Sequence, residues 1–361
     1  MQLVVHVTGA RPNFPKVGPV MKALAARGVE QRLIHTGQHY DDRMSEIFFR
    51  QLDLPRPDVN LGVGSGSHAV QTAAIMVALE EQFLAIKPSL VMVYGDINST
   101  VAAALVASKL QIPMAHVEAG LRSFDMTMPE EINRRVTDQL CDLLFVTSPE
   151  AMDHLVNEGM PTSSMHFVGN PMIDTLLSSL DKLDPSGVKA EFDLPERYAV
   201  ATLHRPANVD SPAAVEALVQ ALHGVADQLP IYIPLHPRGR ANLVGAGIDT
   251  HPGIHLMDPL GYLEFIAMVR GSALVLTDSG GVQEETTILG VPCLTMRPNT
   301  ERPITITHGT NRLVRVDELV QAAQVALARD ADAERVTPPL WDGHAGERIA
   351  DIVVDWLAAH A

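Results

Sequence analysis

The chain has 361 residues, 46% of them hydrophobic, and its 27 Lys and Arg against 43 Asp and Glu leave a formal charge of −16. At roughly 100–200 residues per domain this length predicts two domains. The acidic balance excludes broad binding to nucleic acid or to acidic membranes, while a small anionic ligand needs its positive charge supplied locally. No apolar run in the sequence reaches the roughly 20 residues that a bilayer crossing needs. The opening MQLVVHVTGARP goes straight into a strand pattern, and Cys141 and Cys293 stand in apolar contexts that read as buried thiols. The expectation is a soluble, cytoplasmic protein.

Taken in chain order, QLVVHVT reads as a strand and PKVGPVMKALAARG as a helix ended by Gly28. SLVMVYG is a strand, followed by a helix through STVAAALVASKL, and PMAHVEAG, DLLFVTS and MHFVG continue the strands. The rhythm weakens over 180–196, which is polar and carries Pro185, Gly187 and Pro195, then resumes with YAVATLH, IYIPLH, ALVLTDS and PCLTM. Short apolar runs alternating with helical patterns predict α/β architecture with parallel sheets covered by helices. Two Rossmann-like domains facing a cleft are expected, over 1–175 and 176–345, with an amphipathic helix at 346–361 (GERIADIVVDWLAA).

The motifs fall at predicted strand ends. TDSGGVQEE (277–285) follows the strand ALVL and opens a helix. Ser279 can cap that helix, and Gly280 and Gly281 let a diphosphate approach its free N–H groups, where the helix dipole favours negative charge. Glu285, one turn in, can accept from ribose hydroxyls, as acidic residues do in dinucleotide sites. Glu284 is expected in solvent. The plainer alternative is a capped helix packed closely on its strand. VTGARPNFPK (7–16) places Arg11 and Lys16 at the end of the first strand, a phosphate-binding position in open α/β sheets.

GDINST, HVEAGLRS and MPEEINRR place Asp96, Glu118 and Glu130 with Arg134 after strands or at a helix start. Singly, these read as a helix cap, a buried ion-pair partner and a surface pair four residues apart. Several carboxylates at neighbouring strand ends together point to an acid/base site. ATLHRPAN and PLHPRGR add His204, Arg205 and His236, and RPNTERP adds Arg302. GVGSGSHAVQT (62–72) is a loop into a helix with Ser67 as a cap. His35 and His39 flank Gly37 in a loop and make a poor metal pair, and Asp330-Ala331-Asp332 lies far from any strand end.

Together VTGARPNFPKVGPV, HTGQHYD, VYGDINST, HVEAGLRS, MPEEINRR, VGNPMIDTL, TLHRPAN, TDSGGVQEE and TERP resemble, in order, the non-hydrolysing UDP-N-acetylglucosamine 2-epimerase family. The resemblance implies the glycosyltransferase-B architecture, with two domains closing on a UDP-sugar and a C-terminal helix crossing back to the first domain. It implies interconversion of UDP-GlcNAc and UDP-ManNAc through a 2-acetamidoglucal, a homodimer, and no need for a metal or nicotinamide. Carried over, the catalytic group is Asp96, Glu118, Glu130 and His204. Substrate contacts are Arg11, Lys16, Arg134, Phe265, Ser279, Gly280, Gly281, Glu285 and Arg302, of which Phe265 rests on the resemblance alone.

Two departures stand out. GSGSHAVQ replaces a Pro-Gly-Gln loop that helps many bacterial members bind a second substrate molecule as activator. Gln38, His39, Arg205 and His236 remain as remnants of that site, so weak or absent substrate activation is expected. RPN replaces the commoner RPE, and Asn13 is expected to tune that loop. Rival readings are a hydrolysing 2-epimerase, an epimerase of a modified UDP-acetamido sugar, a glycosyltransferase of the same architecture, and a non-catalytic nucleotide-sugar binder.

Overall fold

The structure is a computed structural model describing residues 2–37, 51–52, 54–203, 211–235, 237–328 and 336–360, with backbone only for residues 11 and 237–239. It divides into two compact units, Met1–Ser178 with Pro339–Ala361, and Ser179–Pro338.

The first unit runs β1 (Leu3–Thr8), α1 (Phe14–Ala26), β2 (Glu30–His35), β3 (Val59–Asn60), α2 (His68–Ile86), β4 (Leu90–Tyr94), α3 (Asn98–Lys109), β5 (Met114–Ala119), α4 (Pro129–Leu140), β6 (Leu143–Val146), α5 (Pro149–Asn157), β7 (Met165–Phe167) and α6 (Pro171–Ser179). Its strands form a parallel sheet in the order β3-β2-β1-β4-β5-β6-β7. Every residue of β4 and β5 is buried. Helices cover both faces of such a sheet, so its central strands are buried along their whole length without alternation.

The second unit runs α7 (Pro185–Glu191), β8 (Ala199–Thr202), α8 (Pro212–Ala226), β9 (Ile231–Pro234), α9 (Pro237–Gly245), β10 (Ile254–Met257), α10 (Tyr262–Arg270), β11 (Leu274–Thr277), α11 (Gly280–Leu289), β12 (Cys293–Thr295), α12 (Ile304–Thr307), β13 (Asn311–Leu313) and α13 (Leu319–Leu327). Its parallel sheet has the order β10-β9-β8-β11-β12-β13. The strand order reverses between β1 and β4 in the first unit and between β8 and β11 in the second. Open α/β sheets bind ligands outside the carboxyl ends of the strands at such switch points.

The last helix, α14 (Ala345–Ala359), belongs to the first unit and packs on α1. Its buried stripe is Ile349, Ala350, Val353 and Leu357. The Asp174 carboxylate accepts from the backbone N–H groups of Ala345 and Gly346 at 3.1 and 2.7 Å, supplying the helix start with acceptors and with negative charge at its dipole. Gly346 is required because a Cβ there would lie 2.8 Å from the Pro19 backbone.

Helix α2 departs from one expectation. Its 19 residues, with a mean hydropathy of 1.3, are long and apolar enough to cross a membrane by length and composition. In the fold it lies against α3 and buries one stripe, Gln71, Ile75, Leu79 and Phe83. The opposite stripe is apolar and exposed, with Val70 at 67%, Val77 at 62% and Leu84 at 57%, and with Ala73, Ala74 and Glu81 between them. Ser67 caps the helix, accepting from the Val70 N–H at 3.4 Å, as expected. Both cysteines are free and buried, also as expected.

Candidate active site

In the first unit the site starts from the turn after β1. Asn13 accepts from the backbone N–H groups of Gly9 and Ala10, both at 3.2 Å, and donates its Nδ2 to the Tyr94 carbonyl at 2.9 Å. A glutamate could accept but could not make that last bond, because an ionised carboxylate has no donor. Asn13 therefore ties the β1 turn to the end of β4. Gly9 has no room for a side chain, since a Cβ would overlap the Ser99 hydroxyl.

Lys16 follows in the first turn of α1, buried, and forms an ion pair with the equally buried Glu118. Glu118 sits at a shift in the β5–β6 register with φ +78°, a left-handed conformation uncommon outside glycine. Gly95, also left-handed at φ +67°, makes room beneath the pair: a Cβ there would meet Lys16 Nζ at 3.2 Å and Glu118 Oε2 at 3.6 Å.

Asp96, next in the chain, is paired with Arg134 at 2.5 Å, and its carbonyl accepts from Asn133 Nδ2 at 2.8 Å. Arg134 is held on its other side by Glu131 at 2.9 Å. Glu131 is fully buried and also accepts from the Ser123 and Phe124 N–H groups at 2.8 and 3.2 Å. The structure thus pairs Arg134 with Asp96 and Glu131, and not with Glu130, so the plainer alternative of a surface pair four residues apart does not hold. Glu130 is half-buried in the first turn of α4 and makes no side-chain bond among the described residues. Helix α3 begins after Ile97, so Asp96 is not its cap.

In the second unit, Thr202 and Thr277 hydroxyls join at 2.6 Å across the ends of β8 and β11. Ser279 precedes α11 in extended conformation, but its side chain makes no capping bond, contrary to expectation. Its N–H instead donates to Thr277 Oγ1 at 2.9 Å. Gly280 begins the helix against the Arg302 guanidinium and the Glu301 carboxylate, and a Cβ would overlap both. Arg302 is paired with Glu301 and, through Nε at 3.0 Å, with Glu284; Arg297 pairs with Glu301 at 2.7 Å. Glu284 is therefore buried at 1% exposure, and the expectation of a solvated residue is wrong. Its charge is taken up by Arg302, a long-range partner that helical spacing does not reveal.

Glu285 is buried beside it, and burial, helped by the neighbouring Glu284 charge, pushes its carboxyl from 4.5 up to about 8 despite a hydrogen bond with Tyr262. Burial likewise raises the Tyr262 phenol well above its ordinary value. Phe265 is half-buried on the following turn of α10. Gln283, fully buried, accepts from Thr300 Oγ1 at 2.7 Å and Asn311 Nδ2 at 3.0 Å, anchoring the 297–302 loop to α11.

Arg11 lies in the turn Arg11–Asn13, with its side chain outside the described residues, as are His204, Arg205, Gln38, His39, His236 and the 330–332 triplet. No group of three metal-ligating side chains occurs among the described residues. Sequence reasoning missed Glu131, Asn133 and Gln283. Glu131 carried a faint signal, three residues before Arg134 in the first turn of a helix. Asn133 and Gln283 carried none, because their partners come from distant segments.

Two Rossmann-like units, each with buried charged groups at its switch point, define an α/β enzyme of the nucleotide-binding kind. A family model for UDP-N-acetylglucosamine 2-epimerase matches residues 22–354. The UDP-N-acetylglucosamine 2-epimerase of Methanocaldococcus jannaschii is 39% identical over 96% of this chain and 97% of its own. The UDP-2,3-diacetamido-2,3-dideoxy-D-glucuronate 2-epimerase of Pseudomonas aeruginosa is 42% identical over 90% of this chain and 92% of its own. The crystal structure of the M. jannaschii enzyme in complex with UDP-GlcNAc and UDP aligns with a TM-score of 0.91 at 39% identity, covering 98% of this chain and 100% of that one. The chain belongs to the UDP-N-acetylglucosamine 2-epimerase family, an isomerase family of glycosyltransferase-B fold.

The Glu285 carboxyl predicts a pH dependence of stability. Between its ordinary 4.5 and about 8 the folded protein keeps a proton that the unfolded chain has released. Stability therefore falls as pH rises through that window and levels above it. His6 and His35, both lowered to about 4, act in the opposite direction only up to their ordinary 6.5, and Asp174, raised to about 6, acts in the same direction as Glu285 only below that pH. Thermal unfolding midpoints should drop between pH 6.5 and 8 in the wild type, and Glu285→Gln should flatten that decline. A variant with the same slope as the wild type would place the titration elsewhere.

Proposed function

We propose that this chain interconverts UDP-GlcNAc and UDP-ManNAc by epimerisation at C2. The observation that carries the reading is the placement of Asp96 and Glu118 at the ends of adjacent strands, each held by a buried cation, in a member of this family. The M. jannaschii relative, bound to UDP-GlcNAc and UDP in its crystal structure, supports the choice of sugar.

The C2 proton has no adjacent carbonyl to acidify it, so direct abstraction is very slow. Breaking the C1–O bond sends its electron pair to the departing UDP. A carboxylate takes H2, and C1 and C2 become the double bond of 2-acetamidoglucal. Re-addition of UDP at C1, with a proton delivered to the other face of C2, gives the epimer. Two faces of one carbon call for two proton-transfer groups, and Asp96 and Glu118 are assigned to them with Glu130 as partner. Lys16 and Arg134 hold these carboxylates in place. His204 and Arg11 are assigned to the leaving diphosphate. In the second unit the start of α11, with Ser279, Gly280, Gly281 and the Arg302 charge against it, is assigned to the diphosphate. Glu285 is assigned to the ribose and Phe265 to the uracil.

Proton NMR in D2O with UDP-GlcNAc should show UDP-ManNAc carrying deuterium at C2, with no free sugar accumulating. Asp96→Asn and Glu118→Gln should each lower turnover by about a hundredfold or more, and near-normal rates in both would remove the assignment. Free ManNAc with UDP would identify a hydrolysing enzyme. The 42% identity to the P. aeruginosa enzyme favours a second reading, a diacetamido uronic acid as the sugar. Turnover of that UDP-sugar in place of UDP-GlcNAc would decide for it.

Substrate titrations should be hyperbolic, given GSGSHAVQ at 64–71 in place of the activator loop. A strongly sigmoidal curve would contradict this.

We further propose a homodimer acting in the cytoplasm. The exposed apolar stripe on α2 supports self-association, because monomers seldom leave such a row uncovered. Sedimentation velocity should give a dimer for the wild type and a monomer for Val77→Glu. A wild-type monomer would end this proposal, and a dimeric variant would move the interface off α2.

A further inference from the structure

Glu118 stands on left-handed backbone, and such a conformation persists in a non-glycine residue only when its surroundings over-determine it. The surroundings here are a buried polar cluster that the chemistry above does not use. His116, two residues before Glu118 on β5, is fully buried. Its Nδ1 lies 2.6 Å from Asp138 Oδ1, and its Nε2 lies 2.8 Å from the carbonyl of Gly95, the residue before Asp96. Each ring nitrogen thus faces an oxygen acceptor.

The other Asp138 oxygen accepts from the N–H of Gly120, two residues after Glu118, at 3.1 Å. It also contacts Arg122 at 2.7 Å, and Arg122 in turn forks onto Glu158 at 2.9 and 2.6 Å. Burial alone would raise the Asp138 carboxyl, but the His116 ring and the Arg122 guanidinium hold it below the ordinary carboxylate value. An ionised Asp138 can accept from His116, Gly120 and Arg122 at once.

The bulge at Glu118 is thus gripped before and after by one carboxylate, and the same imidazole reaches across to β4 where Asp96 begins. Gly120 is held in place as well, at φ +79° with no room for a Cβ against the Ala151 backbone. Two of these bonds end on backbone atoms, the Gly95 carbonyl beside Asp96 and the Gly120 N–H two residues past Glu118.

We propose that His116 and Asp138 are a positioning pair that fixes Glu118 and Asp96 relative to each other for proton transfer at the two faces of one carbon. This rests on the epimerase reading. Proton transfer depends steeply on distance and angle, so loosening the pair slows chemistry more than binding. It also lets the glycal wait longer for reprotonation.

The test uses His116→Phe, His116→Gln and Asp138→Asn beside the wild type. His116→Phe should lower kcat by about 10- to 100-fold while KM and UDP affinity stay within about threefold. It should also raise the share of glycal released per turnover. His116→Gln should recover part of kcat, because its amide can still donate to the Gly95 carbonyl. Asp138→Asn, nearly unchanged in volume, should reproduce the kcat loss and carries the test if the phenylalanine variant does not fold. Normal kcat per folded enzyme, or kcat, KM and thermal midpoint falling together without rescue by glutamine, would overturn the proposal in favour of a purely structural role. A wild type inert towards UDP-GlcNAc would instead sink the epimerase reading. Amide hydrogen exchange then decides for the pair: faster exchange confined to 95–97 and 117–121 in Asp138→Asn supports it, and unchanged exchange there overturns it.

Discussion

The buried ion pair between Lys16 and Glu118 is the constraint around which the first unit is arranged. Two charges removed from water are tolerated only when they meet each other and their remaining bonding capacity is filled, and removing one partner of such a pair typically costs about 3–5 kcal/mol. The requirement reaches outward. Glycine is needed at 95 so that no side chain crowds the pair, and Glu118 must take a left-handed turn to aim its carboxylate at the lysine. Asn13 has to bridge the β1 turn to the end of β4 so that α1 starts where Lys16 can reach. Asp96 and Arg134, one strand end away, repeat the pattern with a better exposed carboxylate, 25% against 5% for Glu118. The two carboxylates thus stand in unlike surroundings, one buried and one partly open to water.

The second unit solves a different electrostatic problem. A helix start is positive by its dipole, yet α11 carries two adjacent glutamates in its second turn. One is neutralised by an arginine from the 297–302 loop, and burial makes the other hold its proton near neutral pH. Negative charge is thereby kept low near the start of the helix, and a carboxyl group remains in its second turn. Arg302 faces two carboxylates, Glu284 and Glu301, which share its charge.

Much of the architecture was legible because parallel α/β units write themselves into sequence as apolar runs ended by small or polar residues. VVHVT, VMVYG, AHVEAG and LVLTDS all proved to contain strands. Asp96 and the Ser279–Gly281 segment stood out as candidates because they come just after such runs, Glu118 because it is a carboxylate near the end of one, and Lys16 because it opens the helix after another. The errors have a common source. The plain alternative of a Glu130–Arg134 surface pair and the expectation of Glu284 in solvent both came from spacing along a single helix. In the structure Arg134 turns to Glu131 and Asp96, and Glu284 to Arg302.

By itself the sequence determined the class of fold, the order of its elements and which charged residues stand at strand ends, because hydrophobic periodicity and strand-end motifs are local properties. Only the tertiary structure decided which charge meets which. It put Asn13 on Tyr94, Asp138 between His116 and Gly120, and Gln283 under a loop more than ten residues away. It also decided that Glu285 keeps its proton. Those outcomes depend on burial and on partners brought together by the sheet order, and a buried polar group must satisfy itself with whatever the fold places beside it.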